Sequence, residues 1–432
     1  MISPPPPSRP SQPSQPSRQT PPGGSLSSKS RSLVTELPAP FRLRDQQTGL
    51  YRNPTEKEAQ FLHEEYGAIA YAPPYAQIRF SDAARLGPHI TTAGDMILTT
   101  ELIENIHPAC GMFTPIRGYP RTKDPVPELE SANPRLPEVG RQICEKLVGV
   151  FADGTSKSLP CRIAIFSDCA VHVYFEAALP AKQYLPGWIA GRPAYYFPDG
   201  KDFGLHSLSS TSIHTDSTSH HMPQHCGSKI TFSSMSCTLG PALRNTNTWA
   251  FRVLTALHAS GDPAADGYTG IGFDKDGNEF GTVRERDLSL DLAFLELHQT
   301  ADFDETQYID GLPAPSSIIH PKDIRFGDFV ACSSEFVGGP FLFEVKAAVM
   351  SFEADEDGKL QRLERFEGIY YHSDNTELLP RLCGAPLVRD GADGVLYGIF
   401  RFADASNPRM CYFHPVGAFL EGEGWVLDNG AN

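Results

Sequence analysis

Leu382-Cys383-Gly384-Ala385-Pro386-Leu387-Val388 places a cysteine in front of a small, turn-forming triplet and an apolar run of strand length. Gly384 and Ala385 carry almost no side chain and Pro386 fixes its own φ, so the segment predicts a sharp turn holding the thiol at the mouth of a cleft. Free cysteines are ordinarily buried and inert, and this turn sets Cys383 apart from the other eight. A thiol becomes a nucleophile when an adjacent base takes its proton, and that base needs an orienter of its own.

Two islands upstream supply such residues. Trp249-Ala250-Phe251-Arg252-Val253-Leu254 reads as a strand, and Thr255-Ala256-Leu257-His258-Ala259 follows it with small residues suited to packing beneath a loop. His258 at the strand end is the candidate base, histidine being the side chain most used for proton transfer near neutrality. Asp291-Leu292-Ala293-Phe294-Leu295-Glu296-Leu297 opens an apolar strand on a carboxylate that can hold an imidazole in one tautomer. Asp287 is close enough in sequence to be its rival.

Around these islands, the chain from Cys226 onward is a series of short apolar or alternating runs separated by turn residues, the pattern of antiparallel barrels or a sandwich. Expected strands are Lys229 to Leu239, Trp249 to Leu254, Asp291 to Leu297, Arg325 to Cys332, Phe341 to Phe352, Leu363 to His372, Ala385 to Val388, Gly394 to Phe402 and Met410 to Phe413, with a helix around Pro415 to Leu420. The charged runs Glu285 to Asp287 and Asp355-Glu356-Asp357 read as solvated turns.

Residues 1–40 are rich in Pro, Ser, Gln and Arg and bury too little apolar surface to order themselves, so a disordered tail is expected. Residues 41–200 read as a smaller α+β domain of unassigned role. Its helix runs from Thr55 to Tyr66, after Asn53-Pro54 and before Gly67, and a second helix covers about Pro137 to Val148. Strands are expected over Arg162 to Ser167 and Val171 to Phe175, with Asp168-Cys169-Ala170 as a turn. Residues 201–225 form a His-, Ser- and Thr-rich linker. With His206, His214, His220, His221, His225 and the adjoining Cys226 it resembles a zinc-ligand set only loosely, because the spacing is irregular and one thiolate is present; a polar linker is the better reading, and no metal or other cofactor is expected.

The three islands together resemble the chymotrypsin-like peptidase superfamily over about residues 226–425. Thr255, Ala256 and His258 match its Thr-Ala-small-His segment, Asp291 to Leu295 its Asp-hydrophobic-Ala-hydrophobic strand, and Arg381-Leu382-Cys383-Gly384-Ala385-Pro386 its Gly-Asp-Ser-Gly-Gly-Pro turn, with cysteine in place of serine as in picornain-type viral proteases. The resemblance implies a mostly β fold of two antiparallel barrels over 226–432 and a His258-Asp291-Cys383 triad. It implies an oxyanion hole from the backbone of Arg381 and Cys383, and a substrate-pairing strand at Tyr397 to Phe402. Arg401 stands where the family has a small residue and can pair with Asp291; Glu377, Arg401 and Phe402 are the residues implied near substrate, which would be a peptide or protein. A catalytically silent barrel that binds peptides is the alternative implied by the same fold.

Fifty-two acidic against 37 basic residues give a formal charge of −15, which argues against a nucleic-acid or anionic-membrane surface. The start Met1-Ile2-Ser3-Pro4 lacks the apolar stretch of a signal peptide, and no run is long and apolar enough to span a bilayer. Nine cysteines, an odd number without paired spacing, suit reduced thiols and hence an intracellular protein, cytoplasmic or nuclear. Oligomeric state is not readable from the chain.

Overall fold

A computed structural model of the chain describes residues 33–46, 51–87, 90–102, 116–117, 142–143, 145–147, 162–166, 171–175, 185–198, 223–233, 235–261, 268–325, 327–337, 339–354, 360–370, 380–391, 393–403 and 410–428. Strands dominate it, as the sequence leads one to expect.

The first barrel is closed by a single bent segment. Ser236–Thr238 pairs with Lys229–Thr231, which pairs with Ile271–Phe273. The ladder continues through Glu279–Asp287, Leu292–Leu297 and Phe251–Ala256 to Ala242–Asn245. The order therefore begins and ends on one stretch of chain, residues 236–245, and six strands close on themselves. At the seam the Gly240 N–H donates to Leu254 O at 2.7 Å. Ile230, Leu239, Val253, Phe280 and Leu295 are buried in the core. Trp425–Leu427 adds to the outer edge of Ala242–Asn245.

The second barrel is a ring of six. Phe329–Cys332 pairs with Pro386–Arg389, then come Val395–Ala403, Met410–His414, Leu360–Tyr370 and Phe341–Ala354, which pairs back to Phe329–Cys332. The alternation in Phe341-Leu342-Phe343-Glu344-Val345-Lys346 explains its use: Phe341, Phe343 and Val345 enter the main core, while Leu342 faces a second cluster with Tyr75, Ile90 and Ile97. Both faces of this strand are thus covered, the outer one by the N-terminal residues.

Those N-terminal residues form a five-stranded sheet in the order Val34–Leu37, Ile90–Ala93, Met96–Thr99, Tyr75–Ile78, Ala68–Ala72, together with the helix Glu56–Tyr66. The helix has the ends its sequence predicts: Thr55 and Glu58 form a reciprocal capping box, and Gly67 closes it in the left-handed conformation at φ 74°. The sheet is fastened to the second barrel by Asp390, whose carboxylate accepts from the Leu33 and Val34 N–H groups, and by the Arg44–Asp328 ion pair at 3.2 Å. Beneath it lies a fully buried pair, Lys346 Nζ 2.7 Å from Glu344 Oε1, with the ammonium 4.5 Å from the centre of the Tyr75 ring.

Several expectations need correction. Lys229 to Leu239 is a hairpin, not one strand, because the chain reverses between Phe232 and Met235, whose backbones bond to each other. Glu285 to Asp287 belongs to the strand Glu279–Asp287, where Glu285 is exposed and Arg286 and Asp287 are half-buried. Arg162–Phe166 and Val171–Phe175 are strands as expected, but Arg162–Phe166 pairs with Ala347–Ser351, so hydrogen bonding runs across the boundary expected near residue 200. The final helix starts two residues later than expected, at Gly417–Gly422. Residues 1–32, the connector over 199–222, the turn at 168–170, most of the Pro137 to Val148 stretch, Asp355 to Asp357 and Glu377 lie outside the described residues. No helix among the described residues is long and apolar enough to cross a membrane.

The Thr55–Glu58–Arg52 group carries a pH dependence. The Arg52 guanidinium, bonded to both carboxylate oxygens, holds Glu58 down to about 2 from its ordinary 4.5. A carboxyl whose pKa falls on folding stabilises the fold above 4.5 and loses that contribution as the pH drops toward 2. Arg52 is half exposed, so screening limits the effect to about 1 kcal/mol. Urea midpoints should therefore separate wild type from Glu58→Gln at neutral pH and converge in acid; a gap that persists unchanged in strong acid would contradict this origin.

Candidate active site

Residues of the two barrels meet where Gly384 packs against Thr238 O and Ala256 N. Phe251–Ala256 ends in a short 3-10 turn, Leu257–Ser260, which carries His258. Alongside, Asp291 precedes the Leu292–Leu297 strand in the left-handed region at φ 56°, a conformation aspartate tolerates better than most residues. That backbone turns its carboxylate onto the histidine. Asp291 Oδ1 accepts the His258 backbone N–H at 2.9 Å and Oδ2 faces Nδ1 at 2.6 Å, while Asp291 O accepts the Leu257 N–H. With Nδ1–H directed at a carboxylate, the neutral imidazole presents its lone pair at Nε2. Asp291 is nearly buried and His258 about one-third exposed. Asp287 takes no part: its carboxylate accepts from Ser289 Oγ and the Leu290 N–H and shapes the preceding turn.

The second barrel brings Cys383 to the same seam, its carbonyl accepting the Thr238 N–H at 3.0 Å. Pro380–Leu382 is a 3-10 turn, and Gly384 follows at φ 95°. Glycine is required there twice over, by the positive φ and because a Cβ would collide with Thr238 O and press on Ala256 N. Cys383 is not exposed at the cleft mouth as its turn suggests: it is 4% exposed, and its thiol donates to the Arg401 carbonyl rather than to His258. Burial, with the negative charge of Asp291 added, pushes the thiol well above its ordinary value. Cys237, buried nearby and bonded to Thr255 Oγ1 at 3.0 Å, is raised to about 12. The five described cysteines all carry free, buried thiols.

Arg401 joins these parts. A bulge between Phe400 and Phe402 displaces it from regular pairing with Met410–His414. Its Nε lies 3.6 Å from Asp291 Oδ2, the oxygen that faces His258 Nδ1, and its Nη1 lies 2.8 Å from His414 Nε2. Guanidinium nitrogens only donate, so His414 Nε2 is the acceptor in that bond. The pairing of Arg401 with Asp291 expected from sequence is present, although it adds to the His258 contact rather than displacing it. Phe402 pairs by its backbone with Tyr412.

Arg381, expected to lend an N–H to an oxyanion hole, sits in the 3-10 turn with its carbonyl accepting the Thr238 hydroxyl at 2.8 Å and its guanidinium over the Phe336 ring. Thr238 had no distinguishing sequence signal, because what marks it is a bond to a carbonyl. Of the loosely zinc-like set, the His225 ring bonds Cys226 O and the Cys226 thiol bonds Gly240 O, and no cluster of side chains able to hold a metal is present among the described residues.

No protein-family model and no curated protein matches the chain. Among solved structures it is similar to a glutamic acid-specific serine protease that uses a histidine triad in substrate binding, at 14% identity, over 47% of this chain and 100% of that one, with a TM-score of 0.36. It is likewise similar to the chymotrypsin of Cellulomonas bogoriensis, at 18% identity over 48% and 100% of the two chains with a TM-score of 0.35. Protease A of Thermobifida fusca gives 14% identity over 48% and 98%, with a TM-score of 0.35.

Proposed function

We propose that the chain is a cysteine-type endopeptidase of peptides or proteins, with residues 226–432 as the peptidase unit behind an α+β domain at 41–200 and a linker at 201–225; the tail expected over 1–40 gives way at Val34–Leu37 to a strand of that domain's sheet. The observation that carries this reading is the two-point grip of Asp291 on His258, which leaves Nε2 as a base, while Gly384 of the cysteine turn packs against Ala256, two residues before that histidine. His258 takes the Cys383 proton as sulfur attacks the scissile carbonyl. The N–H groups of Arg381 and Cys383 receive the oxyanion, and the imidazolium then protonates the departing amine as the C–N bond breaks. Water, deprotonated by His258, hydrolyses the thioester and restores the thiol. Substrate adds as a strand along Tyr397 to Phe402. Free thiols at every described cysteine suit work inside the cell, in cytoplasm or nucleus.

The thiol's bond to Arg401 O and its raised pKa favour a second reading, a silent barrel that binds peptides. Iodoacetamide at about pH 6 separates the two, because ordinary thiols are almost wholly protonated there. Under the peptidase reading, Cys383 is alkylated faster than Cys332 or Cys411, as mapped by peptide mass spectrometry, and His258→Ala slows it about tenfold or more. A Cys383 that reacts no faster than those two and ignores the substitution leaves the binding module.

A further inference from the structure

Resting on the peptidase reading, we propose that Thr238 is a positioning residue for the oxyanion hole, holding through its hydroxyl and its N–H the two peptides that flank the one carrying the Cys383 N–H. Thr238 is fully buried at the end of the strand Ser236–Thr238 in the first barrel, opposite the nucleophile turn of the second. It holds that turn at two carbonyls: its N–H donates to Cys383 O at 3.0 Å and its hydroxyl to Arg381 O at 2.8 Å. A hydroxyl has one proton to donate. With Thr238 donating to Arg381, the Ser334 hydroxyl 2.8 Å away must donate to Thr238, and Ser334 in turn accepts the Phe336 N–H. The result is a one-way chain from Phe336 N–H through Ser334 and Thr238 to the Arg381 carbonyl, each bond polarising the next.

In a helical turn the C=O groups point one way and the N–H groups the other. Anchoring the carbonyls of Arg381 and Cys383 on Thr238, with Leu382 O held by the Ala385 N–H, therefore fixes the peptide between them, whose N–H, that of Cys383, is the donor offered to an oxyanion. A rotation of the Arg381–Leu382 peptide would strand the Thr238 hydroxyl without its acceptor in a fully buried position, which disfavours that rotation.

The test compares two reagents on Cys383. Acylation by p-nitrophenyl acetate forms an S–C bond at a carbonyl, expels p-nitrophenolate, passes the thiol proton to His258 and builds an oxyanion on the way. Alkylation by iodoacetamide displaces iodide from a saturated carbon and builds none. Thr238→Val keeps the shape and the backbone N–H and removes the hydroxyl; it should slow acylation about 10- to 100-fold and leave His258-dependent alkylation unchanged. Thr238→Ser should acylate as wild type does. Ser334→Ala, which takes away only the hydroxyl behind Thr238, should slow acylation in the same selective way and serves if Thr238→Val fails to fold. Equal acylation by wild type and Thr238→Val overturns the inference, as does parallel loss of acylation and alkylation in Thr238→Val and Thr238→Ser. Alkylation of wild type that ignores His258 instead sinks the peptidase reading itself.

Discussion

Asp291→Asn should slow acylation of Cys383 by about 10⁴-fold while leaving the fold in place. Two hydrogen bonds from His258 meet this side chain, its backbone N–H on Oδ1 and Nδ1–H on Oδ2, the second oxygen also facing Arg401 Nε at 3.6 Å. A carboxamide offers one acceptor oxygen and a pair of donors. Whichever way the new amide is oriented, one partner is lost, and the stable arrangement keeps the backbone bond and turns the amide N–H₂ toward the ring. Nδ1 must then accept, which moves the imidazole proton to Nε2, and the base faces the thiol as a donor. The burst of p-nitrophenolate measures the rate, and near-UV circular dichroism reports the packing. A variant within tenfold of wild type would show that Asp291 does not set the tautomer.

The largest change in stability is expected at Lys346. Its ammonium and the Glu344 carboxylate are both wholly out of solvent, 2.7 Å apart, on the face of Phe341–Ala354 that the N-terminal sheet covers. Lys346→Met leaves that carboxylate buried without the ammonium and should cost about 3–5 kcal/mol, read from the urea unfolding midpoint. Changing both, with Glu344→Leu beside Lys346→Met, should recover most of the loss, since two buried charges also carry two desolvation penalties. A single variant as stable as wild type would mean that solvent reaches the pair.

Much of this was readable in the residues. The Thr55 and Glu58 spacing fixes one helix end and Gly67 the other, because capping is local chemistry. Strong apolar runs such as Phe329–Cys332, Val395–Ala403 and Leu292–Leu297 declare themselves, and the three islands come in an order that brings His258 beside Asp291 in space. What escaped depends on tertiary contact. Glu279–Asp287 has few buried positions and many charges, so its strand character comes from two neighbours and not from its own pattern. Glu344 and Lys346 look like the wet face of an alternating strand until the N-terminal sheet covers them. Thr238 and the Arg401 carbonyl act through main-chain oxygens, which every residue type possesses and none advertises.

The pairing of Trp425–Leu427 with Ala242–Asn245 joins segments separated by most of the second half of the chain, and Cys383 lies between them. On a translating ribosome, the histidine-bearing barrel therefore keeps a bare outer edge until Leu427 has left the exit tunnel. The nascent polypeptide consequently carries His258, Asp291 and Cys383 well before the last strand locks against the first barrel.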